Sequence, residues 1–138
     1  MRKGLLAATL LVAASLAHAA DGLPPRALAD WELGLKQRNG LGMPADAAAA
    51  RAAFARAAAG GVPAAMFTLA QMQMAGEGGA RDEAAAQRWI ALAAQLEYPE
   101  ALQELALCEP DPVRAAQLLR EAAHALQHRV REGRGPGY

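Results

Sequence analysis

Residues 75–82 read AGEGGARD, and residues 39–46 read NGLGMPAD. Alone, Gly76-Glu77-Gly78-Gly79 followed by Arg81 has the look of a loop built around a phosphate. Side by side, the two stretches are one loop written twice. Gly40 and Gly76 stand 36 residues apart, as do Gly42 and Gly78, and Asp46 and Asp82. The same offset pairs Ala29 with Ala65, Leu33 with Leu69, Gly34 with Ala70, Ala50 with Ala86, and Phe54 with Ile90. It also pairs Ala57-Ala58 with Ala93-Ala94, and Pro63 with Pro99. A fixed period of this length marks stacked supersecondary units.

A shortened third copy follows. Ala101, Leu105 and Ala106 continue the register of Ala65, Leu69 and Ala70. Asp111 then comes 6 residues after Leu105, where Asp46 and Asp82 come 13 after Leu33 and Leu69. The glycine loop has been removed. Beyond it, Asp111, Ala115, Leu118-Leu119 and Ala122-Ala123 repeat the spacing of Asp82, Ala86, Trp89-Ile90 and Ala93-Ala94.

The chain is rich in alanine and poor in β-branched residues, which favours helices throughout. First helices are expected over 26–39, 63–75 and 99–108, and second helices over 45–59, 82–96 and 111–131. Pro63 and Pro99 suit a first helical turn, where the missing N–H costs nothing. Asp46, Asp82 and Asp111 stand where a carboxylate caps free N–H groups. Gly60-Gly61 supplies a residue able to close a helix in the left-handed conformation. Glu97 holds that place in the second copy, so a different turn is expected there. The fold class is all-α: a short α-α solenoid of about three helix pairs, the last truncated, in which each pair buries its apolar face against the next.

Residues 1–19, MRKGLLAATLLVAASLAHA, have a positive start, a short apolar run and an Ala-x-Ala end. That is the pattern of a secretory signal peptide cut after Ala19, and the run is too short to span a membrane. Residues 20–131 then form the repeat domain, with repeats at about 27–62, 63–98 and 99–128, and 132–138 a flexible tail. Without Arg2 and Lys3 the chain has 12 basic and 14 acidic residues, a balance that favours neither nucleic acid nor an anionic membrane surface. Cys108 is the sole cysteine, so no internal disulfide forms, and it is expected as a small buried apolar residue.

The run Ala29-x3-Leu33-Gly34-x5-Gly40-x-Gly42-x3-Asp46-x3-Ala50-x6-Ala57-Ala58-x2-Gly61 resembles the Sel1-like repeat (SLR) family, helix-turn-helix relatives of tetratricopeptide repeats. The resemblance covers roughly residues 27–125. It departs at Gln37 and Gln73, where an aromatic is common, and at Glu97, where glycine is common. It implies an adaptor that binds a protein or peptide, with first helices lining a concave groove. The groove residues it implies are Trp31, Leu35, Arg38, Phe67, Gln71, Met74, Gln103 and Leu107. Trp31 and Phe67, 36 apart, then stand on successive rungs, with the alternative that both point into the core. Several exported bacterial members serve envelope processes or signalling; the signal peptide itself makes the expected place the periplasm or the exterior. A cysteine-rich branch is linked to β-lactam binding or hydrolysis, but it carries a cysteine pair in every repeat.

Other constellations carry less. Gly76–Arg81 lacks the lysine, the Ser/Thr and the preceding strand of a phosphate-binding loop. Glu121, His124, His128 and Glu132 fall on one helix face at a spacing that suits zinc or copper, with no evident further ligand; a metal-binding module is the remaining alternative. Met66, Met72 and Met74 read as core rather than a Cu(I) site. With no serine after residue 19, and Thr68 the only aliphatic hydroxyl there, hydrolytic chemistry lacks a nucleophile. The expectation is a monomeric, non-catalytic chain with no cofactor and no metal.

Overall fold

A computed structural model of the chain describes residues 22–133; the expected signal peptide and the end of the tail lie outside them. Among the described residues there are six helices and no strand. They are α1 (Pro25–Asn39), α2 (Ala47–Ala59), α3 (Pro63–Ala75), α4 (Glu83–Gln95), α5 (Pro99–Cys108) and α6 (Pro112–Arg131). Each helix packs on its sequence neighbour: α1 with α2, α3 with α4 and α5 with α6 as pairs, and α2 with α3 and α4 with α5 between pairs.

The boundaries follow from local chemistry. The Asp46 carboxylate accepts from the Ala49 N–H at 2.9 Å, and Asp82 from Ala85 at 3.0 Å. Asp111 accepts from Val113 at 3.0 Å, so three second helices are capped by the same residue type. α1 and α3 end on Gly40 and Gly76 at φ 67° and 68°, the left-handed closure that glycine adopts without penalty. The loops then return the chain identically: Asp46 N–H donates to the Gln37 carbonyl at 2.8 Å, and Asp82 N–H to Gln73 at 2.9 Å.

The turn at Glu97 corrects the expectation. It is made in the same way as the one at Gly61, not differently. Gly61 has φ 93° and Glu97 φ 56°. In both turns the next residue reaches back five positions: Val62 N–H to Ala57 carbonyl at 3.1 Å, Tyr98 N–H to Ala93 at 3.0 Å. The stacking of α5 on α4 demands the reversal, and Glu97 accepts the left-handed backbone that glycine would take freely.

Core packing explains the paired alanines. Ala50, Ala53, Ala57 and Ala58 of α2 are buried, as are Ala86, Ala93 and Ala94 of α4, so neighbouring helices meet with little side chain between them. Phe54, Leu69, Met72 and Val62 fill what space remains. Each such burial contributes about 1.5–3 kcal/mol. Exposed ion pairs contribute less than about 1 kcal/mol each, so apolar burial decides the stack. Gly34 and Phe54 fit as a unit: a Cβ on Gly34 would lie 2.5 Å from the Phe54 ring. The second layer makes the reciprocal choice, Ala70 with the smaller Ile90, both buried.

Candidate interaction face

The AGEGGARD loop turns the chain and also locks one layer to another. Arg38, near the end of α1, donates to both carboxylate oxygens of Glu77, at 2.9 and 2.8 Å. Arg51 of α2 donates to the Glu77 carbonyl at 3.3 Å and to the Ala80 carbonyl at 2.7 Å. Gly78, at φ 72°, lies so close to α2 that a Cβ would overlap the Ala47 carbonyl. Gly78 and two arginines therefore seat this loop on the preceding helix pair.

The eight residues implied as a groove separate into three environments. Trp31 is buried, its ring 5.3 Å from Phe54, and belongs to the core rather than to a surface. That is the core alternative, and its cause is Gly34, which lets Phe54 close on α1. Leu35, Phe67 and Met74 are half-buried and lean on the core. Arg38 is held by Glu77. Gln71, Gln103 and Leu107 are exposed, Leu107 to 81%. The first helices α3 and α5 thus present an open row, while α1 contributes mainly core and lock.

Next to that row lies a cluster of which sequence reading singled out only Phe67. The Phe67 and Tyr98 rings meet at 5.8 Å, and the Arg129 guanidinium stands over Tyr98 at 5.8 Å. Arg129 also donates to both oxygens of Glu100, at 3.3 and 2.8 Å. Burial raises the Tyr98 phenol above its ordinary value; the Glu100 charge adds to this and Arg129 opposes it. The hydrogen bonds that Arg129 donates to Glu100 in turn hold its guanidinium firmly protonated. Arg129 is therefore a structural clamp on α6 and not a solvated tail charge. One signal was available: Tyr98 stands one residue before Pro99 as Val62 stands before Pro63, an aromatic replacing a fully buried aliphatic.

The other expected features fall as follows. His124 and His128 are exposed with ring centroids 4.5 Å apart, and Gln117 donates to Glu121 at 3.2 Å. No group of three or more His, Cys, Asp or Glu among the described residues is arranged to hold a metal ion. Ala94, Glu97, Leu102, Gln117, Arg120, Glu121 and His124 line an open groove of about 280 Å³. Met66 and Met72 are core. Cys108 is exposed, against expectation: it is the last residue of α5, and among the described residues no further helix pair follows α6 to cover it. No described helix is long and apolar enough to cross a membrane.

Consecutive helix pairs, repeated loops and shared caps define an α-solenoid. No family model and no curated protein matches the chain by sequence. Solved structures match it in fold. A Sel1 repeat protein from Oxalobacter formigenes aligns with a TM-score of 0.67 at 24% identity, covering 72% of this chain and 42% of that one. A protective antigen of uropathogenic Escherichia coli displaying an SLR fold aligns at 0.64 and 30% identity, over 71% of this chain and 22% of that one. The chain spans less than half the length of either. Its fold is that of Sel1-like repeat (SLR) proteins.

Proposed function

We propose that this chain is an exported, non-catalytic interaction module that binds a protein or peptide partner in the bacterial cell envelope. The observation that carries the reading is the open row on α3 and α5. Gln71, Gln103 and Leu107 face solvent above the half-buried Phe67 and Met74, on helices fixed from behind by the layer contacts. A rigid helical surface of mixed apolar and amide character, built on a fold used for protein recognition, suits an extended or helical peptide. Export rests on the apolar, Ala-x-Ala-terminated opening of the sequence.

Affinity capture from envelope extract tests the face. Wild type and a Gln71→Arg, Leu107→Arg double variant are compared, both positions being exposed so that the fold is kept. The reading expects a defined set of proteins held by wild type and lost by the variant at unchanged helicity; equal capture by both removes the assignment. Export is checked by mass spectrometry of the purified envelope form, with Ala20 expected as its first residue. The non-catalytic half is checked with nitrocefin: turnover that survives purification would overturn it.

A further inference from the structure

We propose that the two ends of the solenoid are the two halves of one contact, and that copies of this chain stack head to tail. The repeat register supplies the argument. Phe54 and Ile90, at equivalent places on α2 and α4, are 0% and 4% exposed; Leu119, their counterpart on α6, is 51% exposed. Ala58 and Ala94 are buried, and their counterpart Ala123 is exposed. What differs is the next layer: α3 covers α2 and α5 covers α4, while no described helix follows α6.

The opposite end shows the complement. Ala65 on α3 and Ala101 on α5 are fully buried, yet Ala29, their counterpart on α1, is exposed. Among the described residues α1 is thus a first helix without the preceding layer that α3 and α5 each possess. It is the element whose counterparts cover α2 and α4, so α1 of a second copy is the occupant that the fold prescribes for the Leu119 and Ala123 face.

The polar lock changes in concert on both ends. Between the first and second layers Arg51 holds the loop carrying Glu77. On α6 the place of Arg51 is taken by Ala116, and in the first loop the place of Glu77 is taken by Leu41, 58% exposed. Head and tail are thus both uncharged at the places where the internal interface carries Arg51, bonded to backbone carbonyls, and Glu77, whose carboxylate pairs with Arg38. The contact so proposed is open and heterologous.

Sedimentation of the full-length mature protein over a range of concentrations tests this. Wild type is expected to grow past a dimer as concentration rises, since a head-to-tail contact does not close. Ala29→Glu spoils the head and Leu119→Glu the tail; each variant alone is expected to stay monomeric with wild-type helicity. Mixed in equal amounts, they are expected to form a dimer and nothing larger, because one intact head and one intact tail remain. A wild type that is monomeric at tens of micromolar overturns the proposal, whether another protein or the chain's own terminal segments cover the faces. So does self-association of Ala29→Glu alone, which would mean α6 pairing with α6, and so does a mixture that stays monomeric.

Discussion

Gly42 and Gly78 share their backbone torsion, φ 73° and 72°, but not their surroundings. A Cβ on Gly42 meets nothing within 4 Å, while one on Gly78 meets the Ala47 carbonyl. Gly42→Ala therefore bears only the left-handed penalty of about 1–2 kcal/mol. Gly78→Ala bears that and an overlap with backbone, adding about 1–3 kcal/mol. Urea midpoints of the two variants are expected to differ in that order, and equal losses would mean that the second loop is not seated on α2. Glu97 gives the opposite sign. Its left-handed backbone costs about 1–2 kcal/mol, and glycine there loses about 0.5–1 kcal/mol through its freer unfolded chain. Glu97→Gly is expected to stabilise by about 0.5–1 kcal/mol, a rise in Tm of a few degrees by circular dichroism. A lower Tm would show the Glu97 side chain making a contact worth more than the strain. The sequence marked this position as unusual, since Glu97 stands at a glycine's place. It did not show that the backbone keeps its course, because neighbouring layers and not the residue's own preference set that torsion.

Between elements, size is matched pair by pair: Gly34 with Phe54 in the first layer, Ala70 with Ile90 in the second. Gly34→Ala is expected to destabilise by about 1–3 kcal/mol, since the new methyl meets a fully buried ring. Adding Phe54→Ile, which recreates the second layer's pairing, is expected to recover at least about 1 kcal/mol of that, measured as the coupling in a double-mutant cycle. Zero coupling would refute the size-matching account. The attachment of α6 rests on different chemistry, through Arg129, Glu100 and Tyr98. The Tyr98 phenol titrates higher in the folded chain than in the unfolded one. The folded state therefore binds that proton more tightly. Its stabilisation is complete below the unfolded value of about 10 and fades as the pH rises through the folded value. Unfolding free energies measured from neutral to strongly alkaline pH should fall for wild type above about pH 10, and Tyr98→Phe should flatten that fall. Helix positions and caps were legible because alanine, proline and aspartate act locally. Trp31 in the core, Arg129 as a clamp and Cys108 in the open were not, because each depends on which helix lies next to it in space.

At the scale of the whole molecule, the 36-residue period was the most informative feature of the sequence, since a repeated offset reports on every layer at once. It carries less about the interaction face, where burial in a middle layer and exposure at an end befall equivalent residues. That same equivalence makes the solenoid extensible. Stability in such stacks grows with each added interface between like layers, and three layers are close to the minimum. Duplicating residues 63–98 between Tyr98 and Pro99 keeps every junction native in type, because Pro63 follows the inserted boundary as Pro99 does now. The added copy brings two helices of 13 residues and buries Ile90 and Ala94 against an α3-like face. The inserted loop, however, meets Met74 and Gln87 where the native one meets Arg38 and Arg51. The four-layer chain is expected to melt in a single transition above wild type, with helical signal increased in proportion. Adding Met74→Arg and Gln87→Arg to the first of the two duplicated copies should raise the melting point further, by restoring the lock to Glu77 of the second. Two separated transitions, or a midpoint below wild type, would show that the layers are not interchangeable and that the third owes its stability to the Arg129 clamp rather than to stacking.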